Sequence, residues 1–157
     1  PLIEPVETKE NLRIEELVIV VDTSYSTSGE LVKKFLRETF TILSETDSFF
    51  RKRKIHIIQC DELVHSDITV TGDTDIDILI NNFELAGGGN TDFRPAFEYV
   101  NNLIDTGEIK KLQGLLYFTD GKGKYPKKKM PYNTAFVFID KLSETAVPAW
   151  AMKVSLE

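Results

Sequence analysis

Along this chain, unbroken aliphatic runs alternate with stretches whose apolar residues recur at helical spacing. The first run, Leu17-Val18-Ile19-Val20-Val21, stops at Asp22. A continuous apolar stretch of this length fits a central parallel strand covered on both faces better than a half-exposed one. Thr23 to Gly29 is small and polar, a loop. Thr27-x-x-Glu30 then offers a capping box, and Leu31, Val32, Phe35, Leu36, Phe40 and Leu43 follow at helical spacing.

The same order recurs. Lys54 to Cys60 reads as a second strand, and Asp67 to Thr71 as a short alternating edge strand. Asp75 to Phe83 predicts a modest helix, and Gly87-Gly88-Gly89-Asn90-Thr91 a loop dominated by its backbone. Pro95 to Leu103 predicts another helix, with Phe97, Val100 and Ile104 at its spacing. Leu115 to Thr119 is a buried strand that ends at Asp120, and Gly121 to Asn133 is a long loop rich in Lys, Gly and Pro. Thr134 to Ile139 is a further strand, and the tail from Pro148 carries Trp150 and a last apolar stretch. Strands alternating with helices predict an α/β fold with a mostly parallel, doubly wound, Rossmann-like sheet flanked by helices. Residues 1–16 have two prolines, many charges and no period, so they read as an entry or linker segment, with the domain spanning 17–157.

Composition narrows the function. At 157 residues the chain is long enough for one hydrophobic core and short for two. It has 19 Lys and Arg against 25 Asp and Glu, a net charge of −6 that argues against bulk binding of nucleic acid. No apolar run approaches the ~18 residues of a membrane span, and no signal-peptide pattern opens the chain. The single cysteine, Cys60, excludes an internal disulfide and any multi-cysteine metal cluster, so a cytoplasmic setting is expected. The chain opens on Pro1 instead of Met and reads as a piece of a longer protein.

In an open parallel sheet, ligands bind beyond the carboxyl ends of the strands. Three unusual segments are predicted there: Asp22-Thr23-Ser24-Tyr25-Ser26, the glycine loop with Thr91, and Asp120-Gly121. Their hydroxyls and carboxylates, with no imidazole or thiolate, suit Mg²⁺, Mn²⁺ or Ca²⁺ and do not suit zinc or copper. Ser24 and Ser26 lie two apart, so both hydroxyls can turn toward one ion, and Asp22 and Asp120 supply negative charge.

Asp22-x-Ser24-x-Ser26, then Thr91, then Asp120 resemble the metal-ion-dependent adhesion site of von Willebrand factor A (VWA) domains. The words around them are more particular. Cys60-Asp61, Gly87-Gly88-Gly89-Asn90-Thr91-Asp92-Phe93-Arg94-Pro95 and Tyr117-Phe118-Thr119-Asp120-Gly121-x-Gly123-x-Tyr125-Pro126 resemble a bacterial VWA-like domain at the C-terminus of metallopeptidase-related proteins. The resemblance implies that Ser24, Ser26 and Thr91 reach the metal directly, while Asp22 and Asp120 act through water and through hydrogen bonds to the serines. An ion with its carboxylates held back keeps charge and an open position for a partner's Glu or Asp. The implied function is metal-dependent protein binding without catalysis in this domain. The resemblance also implies an upstream domain and work beside a MoxR-type AAA+ ATPase.

Two positions depart from that family: Tyr25 stands where glycine is common, and Asn90 where another glycine often sits. Asn tolerates the left-handed backbone, which would preserve the loop. Asp92 is expected as a helix N-cap and Asp61 as a solvated loop carboxylate, with a supporting role near the metal as its alternative. His56 and His65 do not form His-Glu-x-x-His, so zinc protease chemistry is not expected here. Cys60 is expected to be buried and Trp150 to join the core. Arg51 to Lys54 reads as a solvated turn, whereas Lys122, Lys124, Lys127, Lys128 and Lys129 follow Asp120 and should rim the metal face. Two rival functions remain. A Mg²⁺-dependent phosphohydrolase or nuclease would use Asp22 and Asp120, although Ser24 stands where such an enzyme wants a second Asp. An RNA-binding VWA module would use the lysine loop.

Overall fold

Strand β1, Ile14–Asp22, sends alternate side chains into two separate cores, as a strand covered on both faces must. Val18 and Val20 enter one core, Ile19 and Val21 the other, and all four are buried. The structure is a computed structural model that describes residues 14–24, 28–46, 52–120, 122–138 and 147–155. After β1 come helix α1 (Gly29–Thr46), strands β2 (Lys52–Cys60) and β3 (Val64–Val70), helices α2 (Ile76–Asn81) and α3 (Arg94–Asp105), and strands β4 (Leu112–Thr119), β5 (Asn133–Phe138) and β6 (Met152–Ser155).

The strands form one six-stranded sheet in the order β3-β2-β1-β4-β5-β6. All neighbours run parallel except β3, which turns back antiparallel to β2. The connection from β1 through α1 leads to one side of β1, and β4 lies on its other side, so the order reverses at β1. Ligands of doubly wound sheets bind at such a reversal. On one face α1 lays Val32, Phe35, Leu36 and Phe40 over Ile19, Val21, Ile57 and Phe118, with the Phe35 and Phe118 rings stacked at 4.5 Å. On the other, α3 lays Ala96, Phe97 and Val100 over Val18, Val20, Leu115, Tyr117 and Phe136.

Several expected boundaries move. β1 begins at Ile14, three residues before the aliphatic run, because its ladder with β2 extends through Ile14↔Lys52 to Glu16↔Lys54. Lys52 to Lys54 are therefore strand residues and not a turn, and Arg53 lies 3.7 Å from the Glu15 carboxylate. The edge strand spans 64–70 instead of 67–71. Asp75 caps α2, its carboxylate accepting from the Ile78 amide at 3.1 Å, and the helix ends at Asn81 with Asn82 as its C-cap, short of the expected Phe83. Thr27 of the expected capping box and Ile139 lie outside the described residues, as does the entry segment up to Arg13.

Candidate functional site

The carboxyl ends of β2, β1 and β4 lie side by side, and this register brings the candidate residues to one edge. Val21 pairs with Phe118 and Asp22 with Cys60, so the residues just beyond them share that edge. Asp22 is fully buried there. One of its carboxylate oxygens accepts the Ser24 amide at 2.8 Å, and the other accepts the Thr119 hydroxyl at 2.6 Å. Burial pushes the Asp22 carboxyl up from its ordinary value, the nearby Asp120 charge adds to this, and the bonds from Thr119 and Ser24 oppose it. Ser24 is buried beside it. Among the described residues no Lys, Arg or His pairs with Asp22. A second carboxylate approaches a buried one, and the hydroxyls around them are hard donors, so this donor set fits a hard dication.

The glycine loop is clamped between the ends of β1 and β2. The Gly88 amide donates to the Thr23 carbonyl at 2.8 Å, and the Gly89 amide to an Asp61 carboxylate oxygen at 3.0 Å. At Gly87, with φ of +136°, a Cβ would stand 2.6 Å from the Thr23 hydroxyl, and at Gly89 one would stand 2.9 Å from the Asp61 carboxylate. Both positions have room for glycine alone. The segment entering the loop is held by Gln59, whose side chain accepts the Ala86 amide at 2.7 Å and donates to the Glu84 carbonyl at 3.2 Å.

Asp61 is a correction. It is 4 % exposed, not a solvated loop carboxylate, and it organises the edge. Its carboxylate also accepts the Leu63 amide at 2.9 Å and His65 Nε2 at 2.7 Å, while its carbonyl accepts the Asp92 amide at 3.2 Å. Burial works to raise the Asp61 carboxyl, but the bonds from Leu63, His65 and Gly89 prevail and hold it below its ordinary value. Its role is to fix the loop that presents Thr91. Asn90 is a second correction: positive φ among the described residues belongs only to Gly87, Gly88 and Gly107, so Asn90 does not use the left-handed backbone.

Thr91 is half-buried, with its methyl against Gly123, where a Cβ would stand 2.7 Å away. The Phe93 amide donates to the Lys124 carbonyl at 3.0 Å, and Asp120 accepts the Lys122 amide at 3.1 Å. The segment after β4 is thus stitched to both Thr91 and Asp120. Asp92 is taken up by Arg94, whose amide, Nε and Nη2 donate to it at 3.0, 2.9 and 2.7 Å, and this fork holds the carboxyl below its ordinary value. The N-cap of α3 is Phe93, one residue later than expected. Tyr25, Ser26 and Gly121 lie outside the described residues.

The lysine loop does not stay at this edge. Lys122 and Lys124 do, but Lys129 lines a pocket with Leu112, Gln113 and Asn133, at the opposite end of β4 and β5. Trp150 packs against the core and donates to the Pro126 carbonyl at 3.3 Å. Cys60 is buried, and burial pushes its thiol up to about 12. His56 pairs with Asp67 at 2.9 Å and His65 with Asp61 at 2.7 Å, so the histidines serve separate places. Among the described residues no three His, Cys, Asp or Glu side chains converge as a metal cluster. Sequence reasoning passed over Thr119 and Gln59, although a hydroxyl or amide inside an otherwise apolar strand end is a visible signal.

No protein of curated function matches the chain. Among solved structures it resembles an aerotolerance-related membrane protein from Bacteroides fragilis, 14% identical over 79% of this chain and 67% of that one, with a TM-score of 0.50. The SpRpn10 VWA domain is 12% identical over 92% of this chain and 88% of that one, with a TM-score of 0.46. A family model described as VWA-like domain (DUF2201) matches residues 17–157, and the chain therefore belongs to the VWA-like domain family.

Proposed function

We propose that this domain is a metal-dependent protein-binding module. In this reading Asp22, Ser24, Ser26, Thr91 and Asp120 hold Mg²⁺, or Mn²⁺ or Ca²⁺ in its place, and a partner contributes an acidic side chain. The observation that carries it is the pairing of β1 with β4, which sets the buried Asp22 beside Asp120 with Ser24 and Thr119 bonded to the Asp22 carboxylate. Folding brings together two carboxylates that are distant in sequence and lets one of them be buried against its solvation preference, a cost that a dication would offset. When bound, the ion would supply an electrophilic position for a carboxylate oxygen. The chain's own work is to keep Asp22 fixed through Thr119 and to hold the Thr91 loop through Asp61.

This reading extends to a cytoplasmic module within a larger protein that works beside a MoxR-type AAA+ ATPase. Its support is the family membership together with the motif resemblance. Among the described residues no helix is long and apolar enough to cross a membrane.

Calorimetric titration with Mg²⁺ and Mn²⁺ tests the core of the proposal. Saturable one-site binding is expected, weakened about tenfold or more in Ser24→Ala and Asp120→Ala variants whose circular dichroism matches the wild type. Binding unchanged in both variants would sink the assignment of these ligands. A wild-type protein that takes up no metal, even with millimolar acetate present, would sink the metal itself.

A further inference from the structure

Lys122 and Lys124 stand on either side of the glycine that packs against Thr91. Their backbones are pinned: the Lys122 amide bonds Asp120, and the Lys124 carbonyl accepts from Phe93. Both side chains are exposed. The neighbouring cation, Arg94, is forked onto Asp92, whereas among the described residues neither lysine makes an ion pair. Two exposed ammonium groups, of which Lys124 also acts through space on the Asp92 carboxylate, therefore flank the Thr91 side of the site on a segment whose backbone is bonded at both lysines.

We propose that Lys122 and Lys124 form a clamp for a second acidic side chain of the partner, so that the site selects closely spaced acidic residues over a single carboxylate. This rests on the metal-dependent reading above and adds what kind of segment it takes. The need for such a clamp follows from the charge of the whole chain. At −6 the protein repels an acidic partner in general, and only a local reversal of sign can favour approach at this edge. Screening at physiological salt confines charge effects to about 8 Å, so distant carboxylates are muted and the pair beside Thr91 acts at close range, where Asp92 and Asp120 are already engaged by Arg94 and by the Lys122 amide.

The same lysines could attract a nucleic acid, but the surroundings favour a peptide. Proteins that hold single strands offer aromatic faces on which bases stack. The aromatic residue next in sequence, Tyr125, is turned inward, with ring centroids 4.6 Å from Phe93 and 4.9 Å from Phe136.

Fluorescence anisotropy in 5 mM Mg²⁺ would compare three labelled probes: Gly-Glu-Gly-Glu-Gly, Gly-Glu-Gly-Gly-Gly and a decameric uridine RNA. The wild type should bind the di-acidic peptide about five- to tenfold more tightly than the mono-acidic one, a preference that weakens with salt. In Lys122→Gln/Lys124→Gln that ratio should fall to about one while the Mg²⁺ titration is unchanged. Discrimination kept by the double variant, or missing from a wild type that does take up Mg²⁺, overturns the clamp and leaves the metal reading standing. Tighter, lysine-dependent binding of the RNA overturns it in favour of nucleic acid. A wild type that takes up no Mg²⁺ brings down both.

Discussion

Gly87 and Gly88 are neighbours with positive φ, yet they are glycine for different reasons. At Gly88, with φ of +101°, a Cβ would meet nothing within 4 Å among the described residues, so the backbone conformation is what requires glycine there. At Gly87 a Cβ would also strike the Thr23 hydroxyl and approach the Thr23 carbonyl to 3.0 Å. Gly88→Ala should cost about 1–2 kcal/mol, the strain of a left-handed alanine. Gly87→Ala should cost about 1–3 kcal/mol more through overpacking, and should weaken Mg²⁺ binding because Thr23 adjoins both Asp22 and Ser24. Urea unfolding of the two variants, each beside a Mg²⁺ titration, checks both parts; equal losses would remove the steric argument. The glycines were legible in the sequence because their meaning is local. Asp61 was not, since nothing in Cys60-Asp61-Glu62 tells that three donors from Leu63, His65 and Gly89 would surround a buried carboxylate. Asn90 misled for the same reason: its tolerance of left-handed backbone is intrinsic, but the loop places that conformation elsewhere.

Between elements, the edge strand β3 is tied to helix α3 by a polar contact. Asp67 on β3 takes His56 Nδ1 at 2.9 Å and the Tyr99 hydroxyl at 2.6 Å, and the other ring nitrogen of His56 is buried with no partner among the described residues. Burial works to raise the Asp67 carboxyl, but the bonds from His56 and Tyr99 outweigh it and hold the carboxyl below its ordinary value. A depressed carboxyl contributes stability above its unfolded value of about 3.9, and the contribution is lost as pH falls through the folded value. Asp67→Asn should therefore destabilise by about 1–3 kcal/mol at pH 7, and the gap to wild type should close below about pH 4. Urea midpoints at pH 7, 5 and 3 read this directly, and a gap independent of pH would contradict it. The expected edge strand started too late because the polar run His65-Ser66-Asp67 hides the alternation before Ile68, and the ladder reaches Val64 only across an irregularity between Gln59 and Cys60. The last strand, β6, left even less signal. Met152, Lys153 and Val154 are all exposed, so its place beside β5 comes from backbone pairing and not from side-chain pattern.

At the scale of the molecule, the alternation of strands and helices was enough to predict a parallel sheet, and the aliphatic runs of β1, β4 and β5 marked its interior. Which strands stand together is a long-range property, and it decides the site. Asp22 and Asp120 meet because β4 lies beside β1 and not beyond β2 or β5. The lysine loop shows the reverse: proximity in sequence to Asp120 predicted one rim, but the chain must return to the start of β5, which carries Lys129 to the far edge. A metal held as proposed would join β1, β4 and the Thr91 loop, and the unfolded chain could not assemble that donor set. Binding to the folded state alone adds stability as the logarithm of free metal, about 1.4 kcal/mol for each tenfold rise beyond the dissociation constant. The urea midpoint of the wild type should thus climb with Mg²⁺ and fall back on chelation. In Asp120→Ala it should stay flat over the same range. A midpoint that rises equally in both proteins would trace the effect to general screening of the −6 charge, and potassium chloride at matched ionic strength separates that cause from a bound ion.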